Sequence, residues 1–145
     1  MNILTKTISE AKKIGKTLAK QCRGGDIVCL YGDLGTGKTT LTKGMANGFL
    51  IKKDITSPTF ALMNIYPVKS QKIKQLVHID TYRLKNEQEL IDIGIEDYLG
   101  APDTICIIEW PEKITDLLSK KKVKKVTIKH IDENKRQIEL EDNGY

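Results

Sequence analysis

At 145 residues with 39% apolar side chains, the chain can bury one core and is read as a single domain over residues 1–145. Its 24 Lys+Arg against 19 Asp+Glu leave a charge of +5, which leans toward anionic partners without the density of a nucleic-acid-binding tail. No stretch approaches the roughly 20 apolar residues needed to cross a bilayer. Cys22, Cys29 and Cys106 are odd in number and form no C-x-x-C pair, which excludes a disulfide framework or zinc site. A soluble cytoplasmic protein with no membrane partner and with reduced thiols is expected.

In chain order, Ser9-Glu10 followed by Ala11, Ile14, Leu18 and Cys22 predicts a helix capped by Ser9 and ending at Gly24-Gly25. The apolar run "DIVCLY" between glycines predicts a buried strand. After it comes "GDLGTGKTTL", and "KTTLTKGMANGFL" recovers helical spacing through Leu41, Met45 and Phe49, weakened by Gly44 and Gly48. A strand is expected from about Thr59, beyond the turn at Ser57-Pro58, and another in "KQLVHIDTYRL" ending near Asp80. Asn86 is the expected cap of a helix in "NEQELIDIG". "TICIIEW" predicts a strongly apolar strand closing on Glu109-Trp110-Pro111, and "VKKVTIKHI" with "RQIELED" predicts a final hairpin around "DENK".

The glycine-rich segment Gly32-Asp33-Leu34-Gly35-Thr36-Gly37-Lys38-Thr39, continued by Thr40, fits G-x-x-x-x-G-K-[ST] between a strand and a helix. Glycines let backbone N–H groups close around an anion, and the helix beginning near Lys38 presents its positive end. Lys38 supplies a mobile cation for the β and γ phosphates, and the Thr39 hydroxyl can ligate magnesium. No [NT]-K-x-D segment is present to read guanine, so ATP is the expected nucleotide.

Magnesium held by one hydroxyl and phosphate oxygens needs a carboxylate at the end of a neighbouring apolar strand. Asp80 and Glu109 both have that position. Glu109 is assigned to the metal because its strand is the more apolar and should lie beside the strand of the loop. Asp80 is left to position water or to support the metal indirectly. Ser57-Pro58-Thr59 stands where a nucleotide-sensing switch often lies. Trp110, the only tryptophan, packs beside the site, anchors a partner or fills the core; the sequence leaves these three open.

Taken together, "GDLGTGKTTL", "SPTF", "HIDTYRL", "ELIDIGIEDYL" and "IIEWPEK", in that order, resemble the bacterial TsaE family, from about Ser9 to Lys113. The resemblance implies an α/β fold of the P-loop NTPase kind, with a mostly parallel central sheet flanked by helices and a C-terminal antiparallel hairpin. It implies an ATP- and magnesium-binding protein that hydrolyses ATP slowly and works with a TsaB–TsaD complex. Their shared task would be threonylcarbamoylation of adenosine 37 in tRNAs that read ANN codons, with direct tRNA contact left open. It places the phosphate loop on Gly32 to Thr39, the magnesium ligands on Thr39 and Glu109, and an aspartate of the site on Asp80. The switch falls on Ser57 to Thr59, the motif tryptophan on Trp110, and a hairpin arginine near the nucleotide on Arg136.

Two other readings compete. A small-molecule P-loop kinase would need an arginine-bearing lid, and the chain has only Arg23, Arg83 and Arg136 and no long insertion. A nucleotide-dependent RNA-binding module would need an aromatic-rich basic strand pattern, which is absent.

Overall fold

In the computed structural model, which describes residues 2–33, 35–56 and 62–143, the apolar runs assemble into one seven-stranded sheet. The strands are β1 (Asn2–Thr5), β2 (Ile27–Tyr31), β3 (Met63–Pro67), β4 (Gln75–Asp80), β5 (Thr104–Glu109), β6 (Val123–His130) and β7 (Arg136–Asn143). Their spatial order is β1-β7-β6-β2-β5-β4-β3. The four central strands, β6, β2, β5 and β4, are mutually parallel, and the pairs at both flanks are antiparallel. This is the expected α/β architecture, including the C-terminal hairpin of β6 and β7.

Period-two alternation sorts the core into two layers. Val28 and Leu30 of β2, Ile105 and Ile107 of β5 and Leu76 of β4 face the helices α1 (Ile8–Gln21) and α2 (Lys38–Gly48), where Leu18, Leu41 and Met45 complete the layer. Ile27, Cys29, Val77, Ile79, Cys106 and Ile108 face the opposite side, covered by Leu90 of the short α3 (Gln88–Asp92) and by Ile95, Leu99 and Ile114. Strands buried on both faces read as unbroken apolar runs, which is why "DIVCLY" and "TICIIEW" are so legible.

Three local expectations are corrected. The cap of α1 is Thr7, not Ser9: the Thr7 hydroxyl accepts the Glu10 N–H at 3.1 Å, and the Glu10 carboxylate reaches back to the Lys6 N–H. The spacing Thr7…Glu10 is that of a capping box, with the carboxylate here taking the N–H one residue before the cap. The helix ends at Gln21, short of Gly24-Gly25. Asn86 does not cap α3 with its side chain; the cap residue is Glu87 and Asn86 offers only its carbonyl, to Glu89 N–H. β1, which had no expected counterpart, is an edge strand held by pairing with β7. The expected strand start at Thr59 lies outside the described residues, and β3 runs from Met63.

The glycines that weaken α2 by propensity have a packing reason. A side chain at Gly44 would run into the Lys12 carbonyl of α1, and one at Gly15 of α1 would meet the Leu41 carbonyl of α2. The two helix backbones therefore lie close over the sheet, bringing the start of α2 down to the strand ends.

Candidate functional site

The loop leaves β2 at Tyr31 and enters α2 at Lys38. Gly35 (φ 78°) and Gly37 (φ 104°) take left-handed backbone conformations that residues with a Cβ resist. Among the described residues an added Cβ at either would meet nothing within 4 Å, so glycine is needed there for backbone shape, and those residues leave the space over the loop open. The first turn of α2 has no side-chain cap and no acidic residue, so its N–H groups and positive dipole end face that space. The loop is braced from within: the Thr36 hydroxyl donates to the Asp33 carbonyl at 2.8 Å, and Lys38 Nζ donates to the Gly32 carbonyl at 2.7 Å.

Glu109 ends β5, the strand beside β2, with Leu30 as its register partner on one side and Asp80 on the other. Alternation puts both carboxylates on the face of α2. A cleft of about 300 Å³ brings together Gly35, Gly37, Lys38, Thr39, Asp80, Tyr82, Glu109 and Trp110. Seven of these eight belong to segments singled out in the sequence as loop, carboxylate or tryptophan positions; Tyr82 is the addition. Asp80 Oδ1 accepts the Tyr82 N–H at 3.0 Å, which fixes the turn after β4.

Lys38 is only 5% exposed. Burial lowers its pKa below the ordinary lysine value, while the carboxylates of Glu109, Glu112, Asp80 and Asp33 pull the other way. Its Nζ sits 3.4 Å from the centroid of the Trp110 ring, and the Tyr82 ring packs at 5.2 Å from that of Trp110. Trp110 therefore lies beside the site, half-buried. Its backbone adopts φ 59°, ψ 50°, a conformation that costs a non-glycine residue roughly 1–3 kcal/mol. Thr81 braces it: the Thr81 hydroxyl lies 2.6 Å from the Trp110 carbonyl and 3.0 Å from that of Glu109.

On the other side of the loop a second pocket of about 260 Å³ opens between the start of α1, the start of α2 and the β6–β7 hairpin. Thr40 and Arg136 line it, with Ile8, Ala11, Ile128 and Ile138 as apolar walls. Arg136 Nε donates to the Thr36 carbonyl at 3.1 Å, and Nη1 donates to carbonyls of the hairpin turn, including Asp132 at 3.1 Å. Arg136 thus ties the hairpin to the glycine-rich loop. Leu34 and the proposed switch residues Ser57, Pro58 and Thr59 lie outside the described residues.

Residues 5–138 match the family model described as "Threonylcarbamoyl adenosine biosynthesis protein TsaE". The chain belongs to the TsaE family. Among curated TsaE proteins, that of Bacillus subtilis (strain 168) is 36% identical over 129 residues, covering 89% of this chain and 77% of the relative. That of Haemophilus influenzae is 42% identical over 114 residues, covering 79% of this chain and 68% of the relative. The crystal structure of Bacillus subtilis YdiB superposes with a TM-score of 0.78 at 30% identity, covering 99% of this chain and 86% of that one. Within this TsaE-family fold, sequence reading missed His78, Thr81 and Tyr82 as site residues. All three lie in "HIDTYRL", but their roles depend on how β4 registers against β5.

Proposed function

We propose that the chain binds ATP with magnesium, hydrolyses it slowly, and couples that cycle to threonylcarbamoyl transfer onto adenosine 37 of tRNAs that read ANN codons, acting with a TsaB–TsaD complex. The observation that carries the nucleotide reading is the convergence of Lys38, Thr39, Asp80 and Glu109 on one cleft beneath an uncapped helix start. TsaE-family membership supports the pathway, and the sequence resemblance supports the partners.

The donor set suits magnesium, a hard cation that takes oxygen ligands: Thr39 and Glu109 would hold it, with Asp80 alongside. When bound, the ion neutralises charge on the terminal phosphate oxygens. The chain's own contributions are distinct from this. The loop amides and the α2 dipole bind phosphate, Lys38 adds a charge whose attraction for phosphate is less screened in its buried position, and Asp80 can orient a water. The pocket beside Thr40 and Arg136 has apolar walls suited to a purine ring; a base held there would lie across the loop from the terminal phosphates.

Slow hydrolysis is expected of the chain alone, because no arginine lines the cleft among the described residues. A positioned arginine is worth roughly 10³–10⁵ in rate in this class of chemistry.

The test is ATP hydrolysis with magnesium, by the chain alone and with purified TsaB and TsaD, repeated with Lys38→Ala and Glu109→Ala. The expected result is a slow basal rate, altered by the partners and lost in both variants. Turnover that needs a small acceptor and ignores the partners would favour a kinase instead.

A further inference from the structure

His78 is 0% exposed on β4, between β5 and the edge strand β3. A lone histidine in an apolar strand is an expensive core filler unless its ring nitrogens are satisfied. Here the satisfaction is one-sided: Nε2 lies 2.6 Å from Oε2 of Glu109, and Nδ1 has no hydrogen-bond partner among the described residues. A core histidine retained for packing gains nothing from this arrangement that leucine would not supply. One directed at a particular carboxylate does.

The register explains how the contact arises. His78 pairs with Ile107 and Asp80 with Glu109, so His78 and Glu109 are diagonal neighbours on the face toward α2, within reach of a long side chain. Glu109 is only 3% exposed, and its two carboxylate oxygens have different surroundings: Oε2 is engaged by the imidazole, and the carboxylate borders the cleft with Lys38 and Thr39. A carboxylate only accepts, so the proton shared in this contact belongs to Nε2.

We infer that His78 is a positioning residue for Glu109. By donating from Nε2 to Oε2 it fixes the rotamer of the carboxylate, leaving Oε1 as the oxygen offered to a divalent cation in the cleft. This rests on the assignment of Glu109 as a metal ligand proposed above. Hydrogen-bonded partners that orient a metal-binding side chain typically contribute 10–100-fold to metal affinity.

Two substitutions of similar polarity separate positioning from packing. The amide nitrogen of His78→Gln reaches about as far as Nε2 and can still donate to Glu109, whereas that of His78→Asn stops near Nδ1. Magnesium titrations of the nucleotide-loaded protein, followed by Trp110 fluorescence, should show His78→Asn weakened about 10- to 100-fold and His78→Gln close to the unmodified chain. ATP affinity measured in EDTA should be the same for all three. Equal magnesium affinity in the Asn and Gln variants, whether retained or lost in both, overturns the inference.

Glu109→Gln, run alongside, isolates the underlying assignment: unchanged magnesium affinity there removes Glu109 from the metal, whatever His78 does. A second readout needs no variant. In ¹⁵N-histidine-labelled protein, the His78 ring should show the Nε2–H tautomer, and an Nδ1–H tautomer overturns the proposal.

Discussion

Lys38 Nζ stands 3.4 Å from the centroid of the Trp110 ring while donating to the Gly32 carbonyl at 2.7 Å. The loop's one ammonium is thus held between an aromatic face and the backbone of its own loop. A cation over tryptophan gains roughly 0.5–2 kcal/mol, whereas phosphate oxygens offer full negative charge to the same group. Nucleotide phosphates should therefore draw Nζ off the ring. Because Trp110 is the only tryptophan, its emission should shift on saturation with ADP or ATP, and Lys38→Met should alter the emission before any nucleotide is added. Emission unchanged at a nucleotide concentration shown by calorimetry to be saturating would contradict the geometry.

The same lysine sets a pH dependence with two opposed arms. Burial lowers its pKa below 10.5, so between the lowered value and 10.5 the unfolded chain binds more protons than the folded one, and stability contributed at this site rises with pH. Phosphate binding needs the ammonium, so nucleotide affinity falls over the same alkaline window, starting below the ordinary lysine range. Lys38→Met should flatten both trends. Denaturant melts and nucleotide titrations at matched pH, compared with this variant, measure the two arms separately.

The parts of the site written in local signals were legible. The glycine loop stands between an apolar run and a helical period, and Glu109 closes the most apolar strand. From that, its place beside β2 followed without any knowledge of partners. What was illegible depends on register or on distant pairing. "NILT" is a strand because β7 supplies its hydrogen bonds from more than 130 residues away. His78 looked like one polar residue in a core strand until the offset of β4 against β5 set it diagonal to Glu109. The expected Ser9 cap gives way to Thr7, two residues earlier, because Glu10 stands three residues after Thr7. Arg136 came from resemblance alone, since nothing in "KRQIEL" indicates that β7 begins beside the glycine-rich loop.

The two central cysteines give a separate check on the core. Cys29 and Cys106 are fully buried on adjacent strands, on the face away from α2. Burial pushes both thiols from 9.0 up to about 12. Being raised in the folded state, they contribute stability that is intact below about pH 9 and is lost as pH climbs from 9 toward 12. At pH 8 both should be inert to a disulfide reagent until the chain unfolds. Their labelling should become rapid across the same denaturant range in which circular dichroism is lost. Fast labelling of either in the native protein would show that this layer opens locally.

Gly44→Ala sets local propensity against tertiary packing. In the middle of α2, alanine should stabilise the helix by about 1 kcal/mol relative to glycine. The new methyl, however, would be driven into the carbonyl of Lys12, and that obstacle is helix backbone, unable to rotate away as a side chain tip could. Moving α1 outward would loosen the layer of Leu18, Leu41 and Met45 over β2 and β5. Overpacking of this sort costs typically 1–3 kcal/mol, so the net change should be destabilising despite the better helix former. The displacement should also reach the cleft, because α2 carries Lys38 and Thr39 at its first turn. Urea melts should show a lower midpoint with an unchanged slope, and nucleotide affinity should fall alongside. A variant as stable as the original would mean that the two helices separate without cost.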